Sequence, residues 1–118
     1  MIIDDDDITI FLTTRILKQY NSDFEIIAFK DGKQAVQDFI FNGFEKNWIV
    51  LLDINMPIYN GWDFLNEIEK HHIKLNIFMF SSSIDARDQE KSKAYPYVLD
   101  YVSKPLTSLK IEKILSQI

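Results

Sequence analysis

The sequence predicts an α/β fold: a doubly wound, three-layer (βα)₅ sandwich around a five-stranded parallel sheet. Three observations carry that expectation. Five short β-rich runs alternate with five segments whose apolar residues recur at helical spacing. The run Trp48-Ile49-Val50-Leu51-Leu52 is apolar on both faces of a pleat, as a central parallel strand covered by helices on both sides requires. Reactive residues also close several of these runs, and ligands of open α/β sheets bind outside the carboxyl ends of the strands. The strand order expected from this alternation is 2-1-3-4-5, with residues 1–118 forming one domain.

Taken in order, the β-rich runs are 1–4, 25–29 (Glu-Ile-Ile-Ala-Phe), 48–53, 76–80 (Asn-Ile-Phe-Met-Phe) and 98–103. The first helix carries Ile8, Leu12 and Ile16 at i, i+4, i+8. In the second, Ala35, Val36, Phe39 and Ile40 make one stripe, and Phe64, Leu65 and Ile68 make the stripe of the third. The last segment offers Ile111, Ile114, Leu115 and Ile118, an i, i+3, i+4, i+7 face. Punctuation agrees with this division. Asp31-Gly32 and Asn60-Gly61 read as turn dipeptides, Asn42-Gly43 as a helix end, and Pro57, Pro96 and Pro105 fall in connections.

Composition narrows the function. Hydrophobic residues make up 47% and charged residues 26%, an ordinary globular balance. A net charge of -5 argues against direct nucleic-acid binding, which relies on basic surface to displace counterions. The absence of cysteine removes disulfides, thiolate nucleophiles and thiolate metal sites. Apolar runs are too short for a membrane span, and the start of the sequence lacks the pattern of a signal peptide. A soluble, cytoplasmic chain is expected.

Four consecutive aspartates, Asp4 to Asp7, follow Ile2-Ile3. Unit charges of like sign 4 Å apart repel by about 4 kcal/mol at an effective dielectric of ~20, so such a cluster calls for a compensating cation. Asp4 and Asp5 should overhang the crevice at the end of strand one, whereas Asp6 or Asp7 suits the N-terminus of the first helix. Asp53 ends the apolar third strand, Ser81-Ser82-Ser83 follows the fourth, and Lys104 precedes Pro105 after the fifth. Proline restricts the residue before it to extended geometry, and the bond before it is either trans or cis; in both cases the ring sets the direction of Lys104. Carboxylates with a backbone carbonyl and water make a hard-oxygen site of the kind that suits Mg²⁺. A lysine and a hydroxyl opposite complete the equipment for moving a phosphoryl group.

These motifs resemble those of response-regulator receiver domains, the phospho-acceptor modules of two-component signalling. The resemblance rests on Ile-Ile-Asp-Asp at 2–5, Leu-Leu-Asp-Ile-Asn-Met-Pro at 51–57, Asn60-Gly61, Ser81-Ser82 and Tyr101-Val102-Ser103-Lys104-Pro105-Leu106. It implies a flavodoxin-like, chemotaxis-regulator-like sandwich. It further implies Asp53 as phospho-acceptor, Asp5 as direct Mg²⁺ ligand, Asp4 as a second acid acting largely through water, and the Asn55 backbone carbonyl on the metal. Ser81 would be the switch hydroxyl, Lys104 the phosphate-pairing lysine and Tyr101 the switch aromatic, with Asn55 and Ser83 tuning hydrolysis of the acyl phosphate. The implied partners are a histidine kinase or phosphotransfer protein upstream and a protein target downstream, and phosphorylation-dependent dimerisation is compatible with both. Serine stands at 81 where threonine is usual, which keeps the hydroxyl but loses a stiffening β-branch. The loop Ile58-Tyr59-Asn60-Gly61 is bulkier than the family's glycine-rich version.

Two rivals remain at this point. A Mg²⁺-dependent phosphohydrolase with an aspartyl nucleophile shares this chemistry, but such enzymes usually carry a second acid two residues after the nucleophile, where Asn55 stands. A receiver-like binding module that is never phosphorylated would not need Asp5, Asp53 and Lys104 together. The expectation is therefore a signalling phospho-acceptor, catalysing only its own phosphorylation and dephosphorylation, rather than an enzyme.

Overall fold

The computed structural model describes residues 1–42, 48–83 and 85–118. Five strands and five helices alternate among them: β1 (Ile2–Ile3), α1 (Asp7–Tyr20), β2 (Ala28–Phe29), α2 (Gly32–Asn42), β3 (Ile49–Leu52), α3 (Gly61–Lys70), β4 (Asn76–Ser81), α4 (Ala86–Ser92), β5 (Val98–Ser103) and α5 (Ser108–Ser116). The sheet runs β2-β1-β3-β4-β5, and every pairing is parallel. The doubly wound sandwich expected from the alternation is the observed fold.

The pleat of β3 and β4 divides the core into two layers. Val50, Leu52, Ile77 and Met79 face α2 and α3, meeting Ala35, Val36, Phe39, Phe64, Leu65 and Ile68. Leu51, Phe78 and Phe80 point the other way, onto Leu106, Ile111 and Ile114 beside α5, with Ile16 and Leu17 of α1 packed against them. Both faces of these strands are buried, which is why their sequences show no polar alternation.

Local chemistry starts the helices. The Asp6 side chain caps α1 by accepting from the Ile8 amide, and Asp7 lies in its first turn, paired with Lys30 at 2.8 Å. The four aspartates thus divide as the sequence implied. Asp31-Gly32 and Asn60-Gly61, read above as turns, are helix starts instead. The Asp31 carboxylate accepts from the Lys33 amide at 2.9 Å, and Asn60 forms a reciprocal capping box with Asp63. The same side-chain acceptors that favour turns satisfy the free amides of a helix's first turn. Helix α2 ends at Asn42; Gly43 lies outside the described residues.

Three stripes differ from expectation: Ile40 at the end of the α2 stripe and Leu115 and Ile118 at the end of the last one are exposed, where the chain leaves the sheet, and α1 departs most. Ile8 and Leu12 are 69% and 52% exposed, and Thr13, at 3%, is the buried residue of α1. Its inner face runs through Thr9, Thr13, Ile16 and Leu17, one position round from the apolar pattern. Hydropathy counts threonine as polar, yet its β-methyl packs against a core when the hydroxyl has a partner, as the Thr9 hydroxyl has in the Asp6 carboxylate at 2.8 Å.

Candidate functional site

Ladder hydrogen bonds continue past the strand ends and hold the reactive residues. The Asp4 amide donates to the Phe29 carbonyl at 3.0 Å, the Asp53 amide to Ile3 at 2.9 Å, and the Lys104 amide to Ser81 at 3.0 Å. Asp4, Asp53, Ser81 and Lys104, spread over a hundred positions of sequence, therefore stand along one edge of the sheet, at its carboxyl end. β1 lies between β2 and β3 while the chain winds outward on both sides, so the crevice falls between β1 and β3.

Asp4 is fully buried, with one carboxylate oxygen accepting the Asp6 amide at 2.9 Å and the other the Lys104 ammonium at 2.7 Å. The same ammonium lies 3.4 Å from an Asp53 oxygen. Asp5, which is exposed, brings a third carboxylate; Asp4, Asp5 and Asp53 each offer an oxygen, all within 4.8 Å of one another. One ammonium faces three carboxylates, so the cluster retains an excess of negative charge. Oxygens sharing one octahedral Mg²⁺ at ~2.1 Å stand about 3 to 4.2 Å apart, a spacing that this oxygen-only set reaches with small movements. The donor chemistry fits the ion.

Asp53 is 6% exposed. Burial pushes its carboxyl above the usual carboxylate range, and the neighbouring Asp4 charge adds to this; Lys104 and the backbone amide of Asn55 act in the opposite sense. Asn55 itself is exposed, and it acts on Asp53 through its backbone amide, which favours the charged carboxylate.

Ser81 is buried at the end of β4, where its hydroxyl oxygen accepts the Ser83 amide at 3.1 Å. The Tyr101 hydroxyl donates to the Ser83 carbonyl at 3.0 Å. The Ser83 hydroxyl in turn donates to Asp88 of α4 at 3.1 Å and accepts the Asp85 amide at 3.3 Å. Ser81 and Tyr101 therefore meet at Ser83, which in turn holds the start of α4. Sequence reasoning placed Ser83 beside the site but missed this junction, because a run of three serines carries no sign of which backbone atoms each will face.

Two features of the β3–α3 loop were equally hidden. A Cβ on Gly61 would stand 2.5 Å from the Asp53 carbonyl oxygen and 3.0 Å from the Ile54 Cα, so only glycine allows the helix to start that close to the acidic strand end. Ile58, with φ of 69° and full exposure, holds a left-handed conformation uncommon for a β-branched residue. Of the bulk noted there in sequence, Ile58 points outward while Tyr59 packs against the core.

Comparison with known proteins agrees with this geometry. The sequence profile named "Response regulator receiver domain" matches residues 1–116. The chain is 30% identical over 116 residues to the transcriptional regulatory protein DcuR of Escherichia coli K12, covering 98% of this chain and 48% of that protein. It is 37% identical over 70 residues to the transcriptional regulatory protein HptR of Staphylococcus aureus, covering 59% of this chain and 27% of that protein. The chain thus spans about half the length of DcuR and less of HptR. A crystal structure of a two-component response regulator from Cytophaga hutchinsonii superposes with a TM-score of 0.85 at 33% identity, covering 98% of this chain and 91% of that one. With the profile matched almost from end to end, and with aspartates, serine and lysine gathered at the carboxyl edge of the sheet, the chain belongs to the response-regulator receiver domain family of two-component signalling.

Proposed function

We propose that Asp53 accepts a phosphoryl group from a phosphohistidine on a histidine kinase or phosphotransfer protein, and that the modified domain then switches a protein-binding surface. The observation that carries this reading is the Lys104 ammonium held between Asp4 and Asp53 at the mouth of the acidic cluster. Asp4, Asp5, Asp53 and the Asn55 backbone carbonyl would hold Mg²⁺, which when bound supplies charge neutralisation between the carboxylates and the incoming phosphoryl oxygens.

The rest is done by the chain. An Asp53 carboxylate oxygen attacks phosphorus in line, the P–N bond breaks as the new P–O bond forms, and the departing imidazole nitrogen keeps the electron pair. Lys104 pairs with one phosphoryl oxygen and the Ser81 hydroxyl donates to another. A serine that turns toward the phosphoryl group pulls on the Ser83 amide bonded to it. Ser83 carries both the Tyr101 hydroxyl and the Asp88 contact, so the pull reaches the surface of α4, β5 and α5. Water returns Asp53 to the free acid; Asn55 and Ser83 flank that step. The chain catalyses these two reactions on itself and is not an enzyme toward other substrates.

Such a module acts in the cytoplasm, where ATP-charged phosphohistidines form. No helix among the described residues is long and apolar enough to cross a membrane. The named relatives are transcriptional regulators, so control of transcription through a further segment is the output this reading favours. The acidic domain itself takes a protein target rather than DNA. Phosphorylation-dependent dimerisation through the α4, β5 and α5 surface belongs to the same reading.

Incubation with Mg²⁺ and acetyl phosphate should add one phosphoryl mass to the chain, and Asp53→Asn should abolish the addition. Labelling that persists in the Asn variant sinks the assignment. Steady turnover of p-nitrophenyl phosphate would instead point to the hydrolase reading.

A further inference from the structure

Lys110 lies in the first turn of α5, where its charge faces the positive end of the helix dipole. The side chain doubles back out of the helix. Its ammonium donates to the Ser103 carbonyl at 2.8 Å, the Pro105 carbonyl at 2.9 Å and the Ser103 hydroxyl at 3.1 Å. An ammonium has three N–H bonds, and three acceptors account for all of them. Ser103 and Pro105 are the residues immediately before and after Lys104. The two carbonyls that flank Lys104 are therefore tied to one point, while the Lys104 amide is tied to the Ser81 carbonyl at 3.0 Å on the neighbouring strand. With backbone atoms on both sides held, the Lys104 side chain leaves the main chain in one direction, across the Phe80 ring (5.6 Å from the ammonium to its centroid) and toward Asp4 and Asp53.

We propose that Lys110 is a positioning residue: by bracketing the carbonyls on either side of Lys104, it aims that lysine at the phosphoryl-accepting site. The inference rests on the reading of Lys104 as the phosphoryl-pairing group. A charge in the unfavourable first turn of a helix is offset here by charge-assisted hydrogen bonds whose joint effect is to immobilise a single residue. A lysine that only capped the helix would have no reason to grip both neighbours of Lys104. Because oriented groups lose rate steeply with small displacement, a loosened Lys104 should slow phosphoryl transfer without removing any group from the site.

The test uses the full chain and four variants: Lys110→Met, which keeps an unbranched apolar stem, Lys110→Arg, Lys104→Ala and the Lys104→Ala/Lys110→Met double variant. The rate of phosphorylation by acetyl phosphate with Mg²⁺ is measured well below each melting midpoint. Lys110→Met should slow the reaction about tenfold, and Lys110→Arg, which can still reach both carbonyls, should restore most of it. In the Lys104→Ala background, Lys110→Met should cost nothing more, because the residue it positions is gone. Calorimetric Mg²⁺ titration of the unphosphorylated chain gives an independent readout. Lys110→Met should bind the ion as tightly as the parent or more tightly, since a loosened Lys104 competes less for Asp4. Equal losses in both backgrounds, Mg²⁺ affinity falling in step with the rate, or an unchanged rate in Lys110→Met would each overturn the inference. If Lys104→Ala itself leaves the rate untouched, the phosphoryl-pairing role of Lys104 is overturned, and this inference with it. A slow Lys104→Ala beside a normal Lys110→Met removes the inference alone.

Discussion

Asp53 sits where a carboxylate is held against its own preference. Burial and the Asp4 charge raise its proton affinity above the usual carboxylate range, even with Lys104 3.4 Å away. The folded chain therefore holds that proton more tightly than the unfolded one. Stability falls with rising pH wherever the native state binds the extra proton. The destabilising contribution is thus absent below the ordinary carboxylate range, grows as pH rises from there toward the raised folded value, and is complete only above it. Asp53→Asn removes it, so the variant's melting temperature at pH 7 should rise by roughly 2–5 °C. The gain should shrink as the pH is brought down to about 4, the ordinary aspartate value. Thermal melts of both proteins across that range check the prediction, and equal gains at both ends contradict it. Saturating Mg²⁺ should raise the parent's midpoint and narrow the difference, because the ion meets the same uncompensated charge.

The loop between β3 and α3 shows how one element positions another. Gly61 begins α3 with its amide bonded to the Ile54 carbonyl at 3.0 Å, and the space beside it is filled by the Asp53 carbonyl. Backbone atoms on both sides leave nothing free to yield. Gly61→Ala should therefore destabilise the chain by about 2–3 kcal/mol in urea titration. Because the displaced atoms belong to Asp53 and Ile54, Mg²⁺ affinity should fall as well; a variant as stable as the parent would show that the helix start moves freely. The sequence marked Asn60-Gly61 as punctuation but not as a contact, since a 2.5 Å approach depends on where a different element lies. The inner face of α1 was hidden for a related reason. Only the sheet beneath the helix decides that Thr13, rather than Leu12, turns inward.

Across the whole molecule, packing is uneven. Helix α3 buries Trp62, Phe64, Leu65 and Ile68, whereas α4 buries only Ser92. What anchors α4 is largely polar or aromatic: Ser83 to Asp88 at its start, and the Lys91 ammonium 4.6 Å from the Trp62 ring near its end, where Tyr95 stacks on Trp62 at 5.8 Å. Elements with few buried apolar contacts open at lower free energy than the core. Hydrogen exchange should release the α4 amides well before those of β4 and α3, and equal protection would contradict this. On the reading proposed above, such an element is the one a charge change at Asp53 would move. The sequence alone determined the alternation of strands and helices, their order in the sheet, and the set Asp4, Asp5, Asp53, Ser81 and Lys104, because period, punctuation and strand-end position are local properties of a chain. The tertiary structure alone decided that Lys104 bridges Asp4 and Asp53, that Tyr101 and Ser81 meet at Ser83, and that Lys110 grips both neighbours of Lys104. Those contacts depend on atoms of separate segments arriving within about 3 Å of each other, and no periodicity along the chain encodes that distance.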